Sequence, residues 1–191
     1  MFDNLRKDFK RHGGSLRERT FWAMVTYRFG VWSKHRRWGV SRWVTGKMYG
    51  MLRLASEILT GIVMDRDVTI GEDFHLIHPD QVQFHPSVVI GDRVGIMHGV
   101  TIGTNMGNDA PVIGNDVFIG ANASVLGKIK VGDHAFIAAN TLVITDVPPN
   151  HTAIGVPAKM IPNFRDMLAQ AKKTEPKASP PASTSEQRAA H

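Results

Sequence analysis

Aliphatic residues recur at every sixth position through the middle of this chain, at Ile90, Ile96 and Ile102 and then at Ile113, Ile119, Val125, Val131, Ile137 and Val143. Most are followed by a small residue (Gly91, Gly103, Gly114, Gly120, Gly132, Ala138), with Met97, Leu126 and Ile144 as the exceptions. A period of six is neither 3.6 nor simple alternation, so neither an amphipathic helix nor a run of hairpins explains it. It predicts a short parallel-β solenoid. Each hexapeptide supplies one brief strand and one turn, and three close a triangular coil of about 18 residues with the aliphatic anchors stacked inward. Between Ile102 and Ile113 the step is 11. The five extra residues must leave the prism, which predicts a projecting loop over Gly103–Val112 carrying Asn105, Gly107, Asn108 and Asp109.

The flanks have other periods. From Thr20 to about Ser33, Phe21, Met24, Val25, Phe29 and Trp32 recur at helical spacing, and Val44, Met48, Met51, Leu52, Ala55 and Ile58 do so between Ser41 and Leu59. Two helices joined near Gly39 are expected. Residues 1–19 are polar and basic with a break at Gly13-Gly14, and are expected to be mobile or marginally helical. Beyond Gly61 the texture turns to β-branched residues, Gly, Asn and Asp, and the solenoid is expected from near Val68 to about Val147. The domain reading is a basic helical region at 1–61, a β-helix at 62–162, and a short helix (Asn163–Ala171) with a disordered Pro-, Ala-, Ser- and Lys-rich tail at 163–191. The fold class is mainly β, with N-terminal helices and a short C-terminal one.

Composition narrows the chemistry. The 191 residues contain no Cys, which removes thiolate nucleophiles, disulfides and cysteine metal sites. No signal core or span of roughly 20 apolar residues is present, so a cytoplasmic location is expected. The net charge of +6 is concentrated: residues 1–60 hold 13 Lys/Arg and 4 Asp/Glu, a balance of +9, leaving 10 and 13 for the rest, a balance of −3. With Trp22, Trp32, Trp38 and Trp43 interleaved, residues 1–60 fit either a solvated helical face whose Trp residues pack on the solenoid, the reading preferred here, or peripheral contact with the inner membrane face. No motif for nucleic acid accompanies the charge.

The stretch Ile70–Ile161 contains H-L-I-H-P, I-M-H-G-V-T-I-G-T, V-F-I-G-A-N-A-S-V-L-G and D-V-P-P-N-H-T-A-I-G-V-P-A-K. It resembles the hexapeptide-repeat acyltransferases, whose solenoid is a left-handed parallel β-helix, and within them the serine acetyltransferase branch. The resemblance implies acetyl-CoA as co-substrate, no metal, and His78 as the general base that takes the acceptor hydroxyl proton. Imidazole suits that task, because its ordinary pKa of about 6.5 lets it accept a proton near neutrality. His98, one coil on, is a candidate assistant. The resemblance further implies cofactor contacts from Gly103, Thr104, Gly120, Ala121, Ala138 and Ala139, with Lys159 near the CoA phosphates. It also implies a homotrimer, since each groove needs two subunits. Acceptor contacts are expected from Asp80, Gln83, His85, Asn105 and Asp109. For single glycines and alanines, corner geometry is an equal explanation. His75 and His134 read as structural or exposed.

Three positions depart from the serine enzymes: Ile77 and Val63 stand where they carry aspartates, and Ala110 where they carry a loop histidine. The helical region is also shorter. On these departures the chain resembles serine-acetyltransferase-like proteins of capsule and exopolysaccharide synthesis. The preferred expectation is therefore O-acetylation of a small-molecule or lipid-linked saccharide, with serine O-acetylation as the alternative and a non-catalytic trimeric scaffold as a third. The γ-type carbonic anhydrases, which bind zinc through three histidines, are disfavoured by the spacing of His75, His78, His85 and His98.

Overall fold

The computed structural model describes residues 2–107 and 109–162. The helix and tail expected at 163–191 lie outside the described residues. Three helices lead: α1 (Phe2–Arg11), α2 (Arg19–Lys34) and α3 (Gly39–Thr60). Strands then follow in threes. The first coil holds β1 (Ile62–Val63), β2 (Thr69–Ile70) and β3 (His75–Leu76), and the second β4 (Val82–Phe84), β5 (Val89–Ile90) and β6 (Gly95–Ile96). The third holds β7 (Thr101–Gly103), β8 (Val112–Ile113) and β9 (Phe118–Ile119), and the fourth β10 (Ser124–Leu126), β11 (Lys130–Val131) and β12 (Phe136–Ile137). β13 (Leu142–Val143), β14 (His151–Ile154) and β15 (Lys159–Pro162) close the stack.

Strands β1 to β10 each pair in parallel with the one three places on, so three sheets form the prism faces. Sheet I is β1-β4-β7-β10-β13, sheet II is β2-β5-β8-β11, and sheet III is β3-β6-β9-β12-β14 with β15 added antiparallel. All nine anchors are buried. So are Val88, Val94, Val100, Val117, Ala123 and Ala135, each two residues before an anchor. Alternate strand residues face the same side, so each hexapeptide contributes two inward side chains.

Where an anchor is followed by a small residue, the cause depends on the corner. Between sheets II and III, Asp92 Oδ1 accepts the Glu72 N–H (2.8 Å), Asn115 Oδ1 the Asp92 N–H (2.8 Å) and Asp133 Oδ1 the Asn115 N–H (2.7 Å). This ladder satisfies corner N–H groups that the strands leave unpaired. A Cβ at Gly91 would sit 2.6 Å from Asn115 Oδ1, so glycine is needed for the side chain of the next coil to reach across.

Four features differ from expectation. The solenoid starts at β1, whose Ile62 pairs with Val82, rather than near Val68. It extends past Val147, because β14 pairs with β12 and is capped by β15. The inward positions Leu76 and Phe84 are eight residues apart instead of six, so the corner between β3 and β4 carries two extra residues. There Asp80 (φ 114°) and Gln81 (φ 51°) are both left-handed.

The fourth difference is the N-terminus, where residues expected to be mobile or marginally helical form the ten-residue helix α1, docked on the rest of the molecule. Asp8, fully buried, receives Arg28 Nε at 2.9 Å, and Arg28 also donates to the carbonyls of Ile70 (3.0 Å) and Gly71 (2.6 Å). One guanidinium thus joins α1, α2 and the prism. Gly13 and Gly14, both left-handed, make the expected break. His12 Nδ1 donates to the Asp8 carbonyl (2.7 Å), and Nε2 accepts the Leu76 N–H (3.3 Å). Those partners require the neutral ring.

Burial, outweighing the Asp8 carbonyl contact, holds the His12 pKa below the ordinary imidazole value. Burial also pushes His75, whose ring packs edge-on against His12 at 5.0 Å, down to about 4. Both rings bind protons more weakly folded than unfolded, so their stabilisation is complete above about pH 6.5 and is lost as pH falls, for His75 down to about 4. Asp8, raised by burial, works in the opposite sense. Thermal unfolding followed against pH is expected to show the midpoint falling across that window, and falling less steeply in His75→Gln; equal slopes would remove His75 as a cause.

Sequence periodicity also misleads on α3. Tyr49 and Thr60 are its buried residues, and Tyr49 lies across α2 at Gly30, where a Cβ would collide with the ring. The apolar stripe from Val44 to Ile58 faces outward, and Trp38 and Trp43 do not pack on the solenoid: they are 80% and 66% exposed. No described helix is long and apolar enough to cross a membrane.

Candidate functional site

The register of sheet III determines which candidates meet. Since β3 pairs with β6, β6 with β9, β9 with β12 and β12 with β14, the corner residues just beyond these strands stack in two columns. One column runs His78, His98, Ala121, Ala139, Gly155. Beside it run Ile77, Met97, Gly120, Ala138 and Ile154, and Ile154 pairs with Lys159 across the final hairpin. With coils about 4.8 Å apart, Lys159 lies about 24 Å along the edge from the His78 end.

The His78 and His98 rings face each other at 6.0 Å between centroids and 52° between planes. His78 is exposed and His98 half-buried. Among the described residues neither ring nitrogen of His78 has a hydrogen-bond partner, so the His98 ring is its side-chain neighbour. The two extra residues at this corner, Asp80 and Gln81, lie against Gly61, the left-handed cap of α3, where a Cβ would come within 2.9 Å of Asp80 Oδ1. Gln83 is exposed on the adjoining face, in a row with Val63, Thr101, Ser124 and Leu142.

The remaining candidates occupy a different edge, between sheets I and II. His85, half-buried, accepts the Ser87 N–H on Nδ1 at 3.3 Å. Gly103 stacks next to it, Thr104 and Asn105 begin the projecting loop, and Asp109 pairs with Lys128 at 3.3 Å. Within one chain, then, His78, His98, Gly120, Ala121, Ala138, Ala139 and Lys159 share one edge, and His85, Gly103, Thr104, Asn105 and Asp109 share another. Ala110, partly buried, packs against the core. His75 faces the helical layer through His12. His134 is largely exposed at a left-handed corner, 3.9 Å from Asp116. Among the described residues no group of three or more His, Asp or Glu is arranged to hold a metal.

Sequence reasoning missed Gly155, which ends the histidine column with φ 98°. Its signal was the G-V-P-A-K phrase, but the column emerges only from register. The glycines also separate. A Cβ at Gly120 would lie 2.6 Å from Ala139 N, so the neighbouring coil requires glycine there. At Gly103 the nearest atom is His85 Cβ at 3.8 Å, and the fold makes no such demand. Gly120→Ala is expected to cost about 1–3 kcal/mol by overpacking, and Gly103→Ala no more than about 0.5 kcal/mol. Denaturant unfolding of the two variants checks this contrast.

Residues 110–145 match the bacterial transferase hexapeptide family (six repeats). Serine acetyltransferase from Mycobacterium tuberculosis is 37% identical over 136 residues, 66% of this chain and 59% of that protein. The Helicobacter pylori (strain J99) serine acetyltransferase is 38% identical over 125 residues, covering 62% of this chain and 73% of the relative. The chain belongs to the hexapeptide-repeat serine acetyltransferases. Among solved structures, Neisseria gonorrhoeae serine acetyltransferase in complex with serine superposes with a TM-score of 0.70 at 29% identity, covering 83% of this chain and 68% of that one. A serine acetyltransferase in complex with CoA gives 0.68 at 27%, covering 83% and 66%.

The chain spans 59% of the M. tuberculosis relative's length. Family membership corrects the saccharide expectation. That reading weighed three positions, Ile77, Val63 and Ala110, against a match that extends over 136 residues and leads to serine acetyltransferases. In this chain Ala110 serves packing, so its identity carries less about the acceptor than the comparison of single positions implied.

Proposed function

We propose that this chain is an acetyl-CoA-dependent acyltransferase that acetylates the hydroxyl of serine. The observation that carries the reading is the His78–His98 pair at the head of a column of small residues. In this proposal His78 accepts the serine hydroxyl proton as the oxygen attacks the thioester carbonyl, and returns it to the departing CoA thiolate as the tetrahedral intermediate collapses. His98 assists beside the same hydroxyl. Asp80 at the widened corner and Gln83 on the adjoining face contact the acceptor's polar groups.

The cofactor arm extends from the histidines along Gly120, Ala121, Ala138 and Ala139, where small side chains let it approach the backbone, and Lys159 meets the phosphates at the far end. The second wall of the groove comes from a neighbouring copy that contributes His85, Gly103, Thr104, Asn105 and Asp109. The separation of these residues on another edge supports a homotrimer with three equivalent sites.

Release of free CoA from acetyl-CoA, measured with and without L-serine, tests the reading. Serine-dependent release with formation of O-acetylserine is the expected result, and CoA release indifferent to serine would overturn it.

A further inference from the structure

We propose that the outward face of α3 docks on an anionic lipid surface. The helix has 22 residues, about 33 Å of length, and it packs inward through Tyr49. At 100° per residue, Val40, Trp43, Met51, Leu54 and Ile58 fall within about 80° of arc on the opposite side. All five are exposed, Met51 to 69% and Ile58 to 75%. Scattered apolar residues on a surface need no explanation, but a continuous stripe along a whole helix marks an interaction site.

The charges select the occupant. Glu57 is turned to Arg53, which also binds Asp65, and Asp8 is buried against Arg28, so neither offers a carboxylate to this face. Lys47 sits within the apolar arc, on a stem long enough to carry its ammonium out to a headgroup. Arg36, Arg37 and Arg42 cluster at the end that bears Trp38 and Trp43, and Arg36 stacks on Trp32 at 4.5 Å. Beside them an open, apolar-walled hollow is lined by Arg36, Trp38, Gly39, Val40 and Ser41. In a parallel pairing, a second copy of this face would set Lys47 and the arginine cluster against their own counterparts. Lipid phosphates supply the missing negative charge, while the acyl boundary takes the Trp and aliphatic side chains. The helix then lies in the interface plane, with the prism held against the headgroups.

Co-sedimentation of the full chain with phosphatidylcholine vesicles, with and without phosphatidylglycerol, tests this. Binding is expected only with phosphatidylglycerol, reversed by high salt, and weakened about tenfold or more in Trp43→Ser/Ile58→Ser. Lys47→Glu, which alters charge alone, is expected to weaken binding without changing the unfolding temperature, and it tests the idea even where the double variant folds poorly. No binding to anionic vesicles, or equal binding to neutral ones, overturns the proposal. So does light scattering that shows particles larger than a trimer dissociated by the same substitutions, since the occupant would then be a second copy.

Discussion

His78→Ala is expected to lower serine-dependent CoA release by about 100- to 10,000-fold, the usual contribution of a positioned general base. The unfolding temperature should not change. His78 is exposed and its ring nitrogens have no hydrogen-bond partner among the described residues, so truncation removes a proton acceptor and little packing. His98→Ala should cost less. Its half-buried ring stands 6.0 Å from the His78 ring, where it can orient the acceptor or its neighbour without being the primary base. Steady-state rates for both variants decide the assignment: a larger loss for His98→Ala would exchange the two roles, and full activity in His78→Ala would exclude this edge from the chemistry.

The largest effect on stability is expected from Asp8→Ala. Removing the carboxylate leaves the Arg28 guanidinium 6% exposed and without its counter-ion. Breaking a buried pair from one side costs about 3–5 kcal/mol, because the remaining charge has lost both its partner and its water. Arg28 keeps the Ile70 and Gly71 carbonyls, which favours the lower end of that range. Asp8→Asn, which retains an acceptor oxygen, should cost less. Since the pair fastens α1, the loss should appear first as undocking of that helix, with rapid proteolysis around Gly13-Gly14 and a lower urea midpoint. A variant as resistant to protease as the parent would show that Phe9 packed on Phe21 at 5.1 Å suffices to hold α1.

The contrast between prism and helices explains how much of the molecule could be read from residues alone. The prism is local: each anchor meets its counterparts 18 to 23 residues away at a spacing the chain repeats, so Ile113, Ile119 and Val125 announce their own burial. Even the widened corner was present as the eight-residue step from Leu76 to Phe84. Docking of α1 was not legible, because Asp8 meets Arg28 20 positions later and His12 meets Leu76 64 positions later, with no period to link them. On α3 the stripe from Val44 to Ile58 said that one side is apolar, and nothing in a stripe says what covers it.

The candidate site was half legible for the same reason. His78 and His98 differ by one coil and could be paired by counting, whereas the separation of Gly103 and Gly120 onto different edges required the corners to be assigned in space. The acceptor was misjudged where single positions were weighed as though each had only one use, as Ala110 shows by packing on the core.

A stacked prism also makes length a discrete quantity. On the proposed assignment, the interval from His78 to Lys159 is counted in whole coils of about 4.8 Å, so the edge acts as a ruler that the chain can lengthen or shorten only in fixed increments. Excising one 18-residue coil between Ile119 and Ile137 would leave the anchors in phase and the corners intact. It would also bring the lysine one graduation too close to the thioester for a cofactor whose own length does not change.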